Sequence, residues 1–504
     1  MVTLPALAEQ SRRSQFTLGA AIRRVFSFPV LLGVLLFSGS FSLAKDMLFD
    51  PDMWWHMAVG QRILATHALP WSETYSSTVA GAPWIAYEWL GEIAIGAAAS
   101  VAGLRSAAAL LVGLSGILVL LLYRYAALKC GDSKAAFAAC AVLIPALGAF
   151  FTLRPQLFGA IFLVLTLLIL ERFRQGHERA LWFLPPLFLV WVNTHGSFVF
   201  GFLVLGIAWL SGQFEFSSGG LFSERWSRRQ SVQLLLATLA STLVLPITPY
   251  GTRLASYPLS FAFSQPVNLA SIREWSPLGT ENFLGRWVIA LLLVLALASL
   301  VQRPRFRLHD VLLAMLGAIA ACLHVRFLLL FTIFLVPLFA ELFVRWIPQY
   351  RADMDRPAFN AILIGIIATG VVFLFPSRRA LDAQADSEYP RLAAQYLANH
   401  PVRGTLLNEY GWGGYLIWAA PQNRVFIDGR ADVYEYGGVL ADDMRMVRVE
   451  PNTMQLLRKY DIRTCLLRRD AALGTALSFA PGWQRVYEDQ VAAVYVRTPL
   501  AAAH

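Results

Sequence analysis

Apolar runs of the length that crosses a hydrocarbon core, about 17–25 residues, recur along the whole of this 504-residue chain. Eleven can be read, at 25–44, 106–123, 135–151, 155–170, 180–193, 196–211, 231–248, 286–302, 309–324, 327–344 and 358–375. The fifth and sixth are short and meet at Asn193-Thr194-His195-Gly196, as tilted or broken spans do. In lipid, each backbone polar group must find its partner within the protein, which makes helices the default spanning element. The expected fold is therefore a polytopic α-helical membrane protein with about 11 transmembrane helices. Charged residues make up only 15% of the chain, against about 25% in a soluble domain, and a purely soluble protein is excluded. The first run follows Arg12, Arg13, Arg23 and Arg24. It exceeds the apolar core of a signal peptide, about 7–15 residues, and reads as a retained anchor.

The formal net charge of +10 resolves into a topology pattern. With the N-terminus in the cytoplasm, the inner segments hold 19 Lys and Arg and the outer loops only 8. That asymmetry is the positive-inside rule, and an odd number of spans puts the tail outside. Nucleic-acid binding has no support, because the basic residues fall in small clusters, one per inner loop. The four cysteines, Cys130, Cys140, Cys322 and Cys465, have neither disulfide-framework nor metal-site spacing.

This organisation divides the chain at about residue 376. Residues 1–376 form the membrane domain, with a first outer loop at 45–105 and a second at 250–285. Helices are expected at 53–66 and 88–103 within the first loop, the latter suited to lie on the membrane surface. Residues 377–504 alternate helical and strand-like pieces and read as a small extracytoplasmic α/β domain. Helices are expected there at 389–400 and 452–460, and strands at 404–408, 424–428, 463–467 and 491–497.

Ionisable groups beside apolar spans are costly and mark function by default. Here they gather at the outer ends: Asp50, Asp52 and His56 after the first run, and Glu88 before the second. Arg154 and Gln156 follow the third, Asn193 and His195 the fifth, and His324 and Arg326 the ninth, while Arg273 and Glu274 lie in the second outer loop. Each residue also has a plainer role open to it. Asp50-Pro51-Asp52 is a helix-cap pattern, Arg154 and Arg326 can snorkel, His195 can be a satisfied buried histidine, and Arg273-Glu274 can be a surface pair. Taken together, the set suits chemistry on an anionic lipid-linked group. A carboxylate can act as general base or hold a divalent metal, and Arg and His can neutralise a leaving phosphate.

The motifs Asp50-Pro51-Asp52-Met53-Trp54-Trp55-His56, Gly81-Ala82-Pro83-Trp84 to Glu88-Trp89-Leu90, Arg154-Pro155-Gln156, Trp191 to Gly196, Thr248-Pro249-Tyr250-Gly251 and Glu274-Trp275 make the chain recognisable. So do Tyr410 to Leu416 and Val425 to Arg430 in the tail. The sequence resembles the C-type (GT-C) integral membrane glycosyltransferases, in particular a bacterial branch acting on polyprenyl-phosphate sugars.

The resemblance implies an active site at the outer face of the bacterial inner membrane. There a sugar would pass from a polyprenyl-phosphate carrier to a glycan, lipid or protein acceptor, usually with inversion of the anomeric centre. It implies an essential Asp at Asp50 or Asp52, with Asp52 the choice for general base or metal ligand and Glu88 in support. His56, Arg154, Gln156, Asn193, His195, Arg273, Glu274, His324 and Arg326 are the positions available to hold the donor and its phosphate. Tyr410, Trp412, Asp428 and Arg430 are the candidates for acceptor contact. The family varies in its metal use, and the resemblance leaves open whether Asp50 and Asp52 bind a divalent cation (Mg, Mn or Ca). Two other readings remain. A flippase of a lipid-linked glycan should show polar residues along a path and often an internal repeat, neither of which is visible; a non-catalytic assembly partner should have lost the acidic pair.

Overall fold

The computed structural model describes residues 18–400, 404–435 and 437–498. Arg12 and Arg13, which enter the charge pattern above, lie outside the described residues. Every one of the eleven apolar runs contains a helix. Among the described residues, six helices are long and apolar enough to cross a membrane by length and composition: Ala21–Ala44, Leu104–Cys130, Gln156–Arg174, Phe283–Gln302, Val325–Trp346 and Pro357–Leu374. Ser133–Gly148, Phe198–Ser211 and Leu308–Leu323 are apolar but shorter.

The helix ends follow local chemistry. Asp50 and Asp132 cap the helices that follow them by accepting backbone N–H bonds, and Gly131 ends Leu104–Cys130 in the left-handed conformation, which costs glycine little. Val325–Trp346 is the most enclosed of the long helices, with 72% of its apolar window buried, and Pro357–Leu374 the least, with 6%. A soluble protein would not leave a whole apolar helix uncovered; a bilayer supplies the missing cover.

Within the first loop, helices Pro51–Thr66 and Trp89–Ala102 cross with their backbones touching. A Cβ on Gly60 would overlap the Glu92 carbonyl, and one on Gly96 would meet the backbone of Gly60 and Gln61. Two facing glycines thus permit the close crossing that brings His56 beside Glu88 and Glu92. Trp89–Ala102, the helix expected to suit a membrane surface, packs against Pro51–Thr66 and Leu104–Cys130.

The tail is a small mixed α/β unit. Its sheet has the order Thr405–Asn408, Ile462–Arg468, Ala492–Arg497, Trp483–Glu488. The first pair is parallel and the other two antiparallel. The edge strand Trp483–Glu488 carries mixed polarity and was not foreseen. The strand expected at 424–428 is not in this sheet. Val425 pairs instead with the first loop, donating its N–H to the Tyr75 carbonyl and accepting from Ser77 N at 3.0 and 2.9 Å.

Further contacts extend that junction. Arg430 bonds Asp428 through Nη2 and Glu73 of the first loop through Nη1, each at 2.6 Å, with all three side chains almost fully buried. Tyr434 donates to Asp428 as well, and the Arg430 guanidinium lies over the rings of Tyr75 and Trp84. Trp54 meets Tyr389 and Tyr415 edge-on. One apolar core runs unbroken from Leu36 to Tyr495.

Candidate active site

Asp50 fixes the start of helix Pro51–Thr66, and helical spacing then puts Asp52, Trp55 and His56 on one side of it. Arg154, at the start of the Gln156–Arg174 helix, reaches this turn from across the bundle. Its Nε lies 2.6 Å from Asp50 Oδ1, its Nη2 2.9 Å from Asp52 Oδ2 and its Nη1 2.7 Å from Glu274 Oε1. One guanidinium thus holds three carboxylates. The second oxygen of Asp52 accepts from Trp55 Nε1 at 3.2 Å.

The electrostatics differ among these acids. Burial, reinforced by Asp50 and Glu274, pushes the Asp52 carboxyl up to about 7 against the opposing pull of Arg154. Glu274 also suffers burial, but Arg154 and Arg326 outweigh it and hold its carboxyl below the usual range.

Beneath Asp52 lies a second, more deeply buried group. His56 Nε2 is 3.8 Å from Glu88 Oε2, and its Nδ1 is 3.5 Å from Glu92 Oε1. His195 Nε2 is 3.3 Å from the other Glu88 oxygen. His195 Nδ1 accepts the Ser197 N–H, which leaves the ring proton on Nε2, pointing at Glu88. Burial, together with Glu92 and Asp52, raises the Glu88 carboxyl well above its ordinary value. Burial and Arg326 lower His195 to about 3, so its ring is neutral.

Two joined chambers open on these groups. A polar one of about 200 Å³ is lined by Asp52, His56, Arg154, Glu274 and, from the tail, Tyr410, Gly429 and Asp432. A largely apolar one of about 520 Å³ runs between Ala160, Leu163, Phe200, Phe327, Leu330 and Ile333. Both are bordered by Tyr87, Glu88, Gln156, His195, Trp275 and Arg326. Arg326 is the one Lys or Arg in that shared border, and its guanidinium lies 4.0 Å over the Trp275 ring.

Of the residues singled out from the sequence, Asp50, Asp52, His56, Glu88, Arg154, Gln156, His195, Glu274 and Arg326 thus converge. His324 lines the apolar chamber, its Nδ1 2.6 Å from the Trp275 carbonyl oxygen. Asn193 does not line either chamber. It is buried, accepts from Trp89 Nε1 and donates to the carbonyls of Leu189 and Ile247. Arg273 is exposed and also outside both linings.

Of the four tail residues singled out from the sequence, Tyr410 alone lines the cavity. Trp412 is wholly buried and donates to the Glu388 carbonyl, and Asp428 and Arg430 are spent on each other and Glu73. These three were expected at an acceptor surface; Trp412 is instead buried within the tail, and Asp428 and Arg430 fasten the tail to the first loop. The metal expectation shifts as well, because Arg154 occupies the space facing Asp50 and Asp52. Among the described residues, the group with metal-ligand spacing is His56, Glu88 and Glu92, whose ligand atoms lie within 4.8 Å of one another.

Sequence reasoning passed over Glu92, Asp432, Tyr87 and Gly429. Only Glu92 carried a local signal, four residues after Glu88 on an apolar helix.

No protein-family model matches the chain, and no curated protein matches it by sequence. Solved structures do match. ArnT from Cupriavidus metallidurans bound to undecaprenyl phosphate aligns with a TM-score of 0.51 at 13% identity, covering 92% of this chain and 97% of ArnT. The Archaeoglobus fulgidus oligosaccharyltransferase in the apo form aligns with a TM-score of 0.51 at 13% identity, covering 88% of this chain and 69% of that one. The same enzyme tethered to an acceptor peptide also scores 0.51, at 12% identity, covering 94% and 75%. The chain has the GT-C fold. Within this fold the two chambers and the carboxylates around Arg154 lie together at the end of the bundle that carries the first loop and the tail.

Proposed function

We propose that this protein is a membrane glycosyltransferase that moves a hexosyl or pentosyl group from a polyprenyl-phosphate carrier to a glycan, lipid or protein acceptor. The observation that carries the reading is the pair of chambers meeting at Arg326: an apolar groove suited to a prenyl chain, a cation for one phosphate, and a polar chamber for the sugar. The complex of ArnT with undecaprenyl phosphate and that of the oligosaccharyltransferase with an acceptor peptide support a lipid-linked donor and a separate acceptor.

In the proposed reaction Asp52 takes the proton from the acceptor hydroxyl. The oxygen attacks the anomeric carbon, the bond from that carbon to the phosphate oxygen breaks, and polyprenyl phosphate leaves with the anomeric centre inverted. Arg154 sets the position of Asp52, and Arg326 meets the charge on the departing phosphate. Burial suits Asp52 as a base, because a group titrating near 7 can both accept and release a proton at physiological pH.

A divalent cation fits His56, Glu88 and Glu92 better than Asp50 and Asp52. His56 Nδ1 and Glu92 Oε2 are buried without a hydrogen-bond partner, and one nitrogen with two carboxylates is a common donor set for zinc or manganese. Bound there, a cation would add positive charge beneath the chamber.

The charge pattern supports about eleven membrane segments in a bacterial inner membrane, with the N-terminus cytoplasmic and the tail, residues 377–504, extracytoplasmic as its own domain. The test is transfer by purified protein in proteoliposomes supplied with polyprenyl-phosphate sugars and cell-envelope acceptor. Wild type should consume the donor and Asp52→Asn should not. A variant as active as wild type would remove Asp52 from the reaction, and donor moved between leaflets unaltered would make the protein a flippase.

A further inference from the structure

One wall of the polar chamber is lined by Gly429, Ala431 and Asp432, none of them among the candidate site residues of the sequence. It is built by the tail segment 429–432, carried there by the Glu73–Arg430–Asp428 fastening, and its acidic member is Asp432. Asp432 borders the polar chamber and not the apolar one. Tyr257, from the second loop, borders the apolar chamber and donates its hydroxyl to Asp432 Oδ2 at 2.5 Å. The Tyr257 ring stacks on Tyr87 with centroids 4.4 Å apart, so the hydroxyl that holds Asp432 is itself held.

We propose that Asp432 is the residue that reads the hydroxyls of the transferred sugar. The inference rests on the donor reading above and goes beyond it by naming the sugar contact. With a prenyl chain in the apolar chamber and its phosphate at Arg326, the sugar projects into the polar chamber, where Asp52 and Asp432 are two of its carboxylates. Asp52 is bound by Arg154 and the Trp55 indole. Asp432 meets the chamber from the tail, with no arginine or lysine on it at hydrogen-bond distance among the described residues. A carboxylate held in place by a tyrosine accepts strong, directional bonds from hydroxyl groups. A site built around such bonds discriminates sharply against a ligand that cannot make them. Tyr257 is thereby a positioning residue and Asp432 the contact.

The test compares two ligands of one protein. Full-length protein in nanodiscs is titrated with bare decaprenyl phosphate and with decaprenyl phosphate carrying glucosyl, mannosyl or arabinosyl groups, followed by intrinsic tryptophan fluorescence. For wild type, at least one glycosylated lipid should bind more tightly than the bare lipid. Asp432→Asn should weaken that lipid about tenfold, the scale of one charged hydrogen bond, and leave bare decaprenyl phosphate unchanged. Tyr257→Phe should move the same ligand in the same direction by less. Equal weakening of both lipids by Asp432→Asn, or no weakening of either, overturns the proposal while the carrier reading stands. If no glycosyl group improves wild-type binding, the proposal also falls. If wild type binds none of the lipids, the donor reading falls with it.

Discussion

The backbone of Gly429 rests directly on the carboxylate of Asp52: a Cβ at Gly429 would overlap Asp52 Oδ1 and crowd Trp55 Nε1. A residue of the tail therefore limits where the proposed base can sit. Gly429→Ala should displace the carboxylate from the Trp55 indole and cut the turnover number at least tenfold. Donor KM should change little, because the phosphate and prenyl contacts are elsewhere. Steady-state kinetics with a polyprenyl-phosphate sugar separates the two constants, and a loss confined to KM would contradict the placement.

The position of the Asp52 carboxyl gives the pH dependence its sign. A base must be deprotonated, and burial has raised this one to about 7. The turnover rate should therefore climb as pH rises from 6 to 8 and level off above, about tenfold per pH unit on the acid limb. Arg154→Met removes the charge that opposes the upward shift and should move the midpoint to higher pH. A rate independent of pH over that range would exclude Asp52 as the group that titrates.

Arg430 between Asp428 and Glu73 is a fully buried charge network, and removing one partner leaves the others unpaired. Glu73→Gln should destabilise the tail's attachment by about 3–5 kcal/mol. Limited proteolysis in detergent, read at the 425–435 segment, should show faster cleavage than in wild type, while the membrane helices remain intact. Unchanged protection would mean that the aromatic contacts of Trp54 suffice.

The group of His56, Glu88 and Glu92 predicts a metal content. Protein purified without chelator should carry about one equivalent of zinc or manganese by plasma mass spectrometry. Glu92→Gln should lose it and Asp50→Asn should not, because Asp50 is engaged by Arg154. Absence of metal from wild type loaded with either cation would rule out His56, Glu88 and Glu92 as a metal site.

Much of this site was legible in the sequence, and the reason is physical. Asp50, Asp52, Glu88, Arg154 and His195 stand out because a charge or imidazole beside an apolar span carries a large cost unless it has a use. The helices were legible for the same reason of solvent: lipid enforces both their length and their composition. Residues whose importance comes only from a distant partner were not visible. Asp432 sits in an ordinary polar stretch of the tail until Tyr257 meets it, and Gly429 is one glycine among 35 until Asp52 lies against it. The strand expected over 424–428 has the right composition, but it pairs with the first loop, a choice no local pattern encodes. Asp428 and Arg430 were candidates for acceptor contact through the resemblance carried by the motif Val425 to Arg430. The same features also suit a buried fastening.

The tail's contribution to the polar chamber also fixes an order of manufacture. Asp52 and Arg154 are synthesised early, whereas Gly429 and Asp432 leave the ribosome only after the helices long and apolar enough to cross a membrane. A half-built chain thus carries the acidic turn and its arginine without the wall that shapes the space around them. The polar chamber is complete only once segment 429–432 lies against the loop translated first.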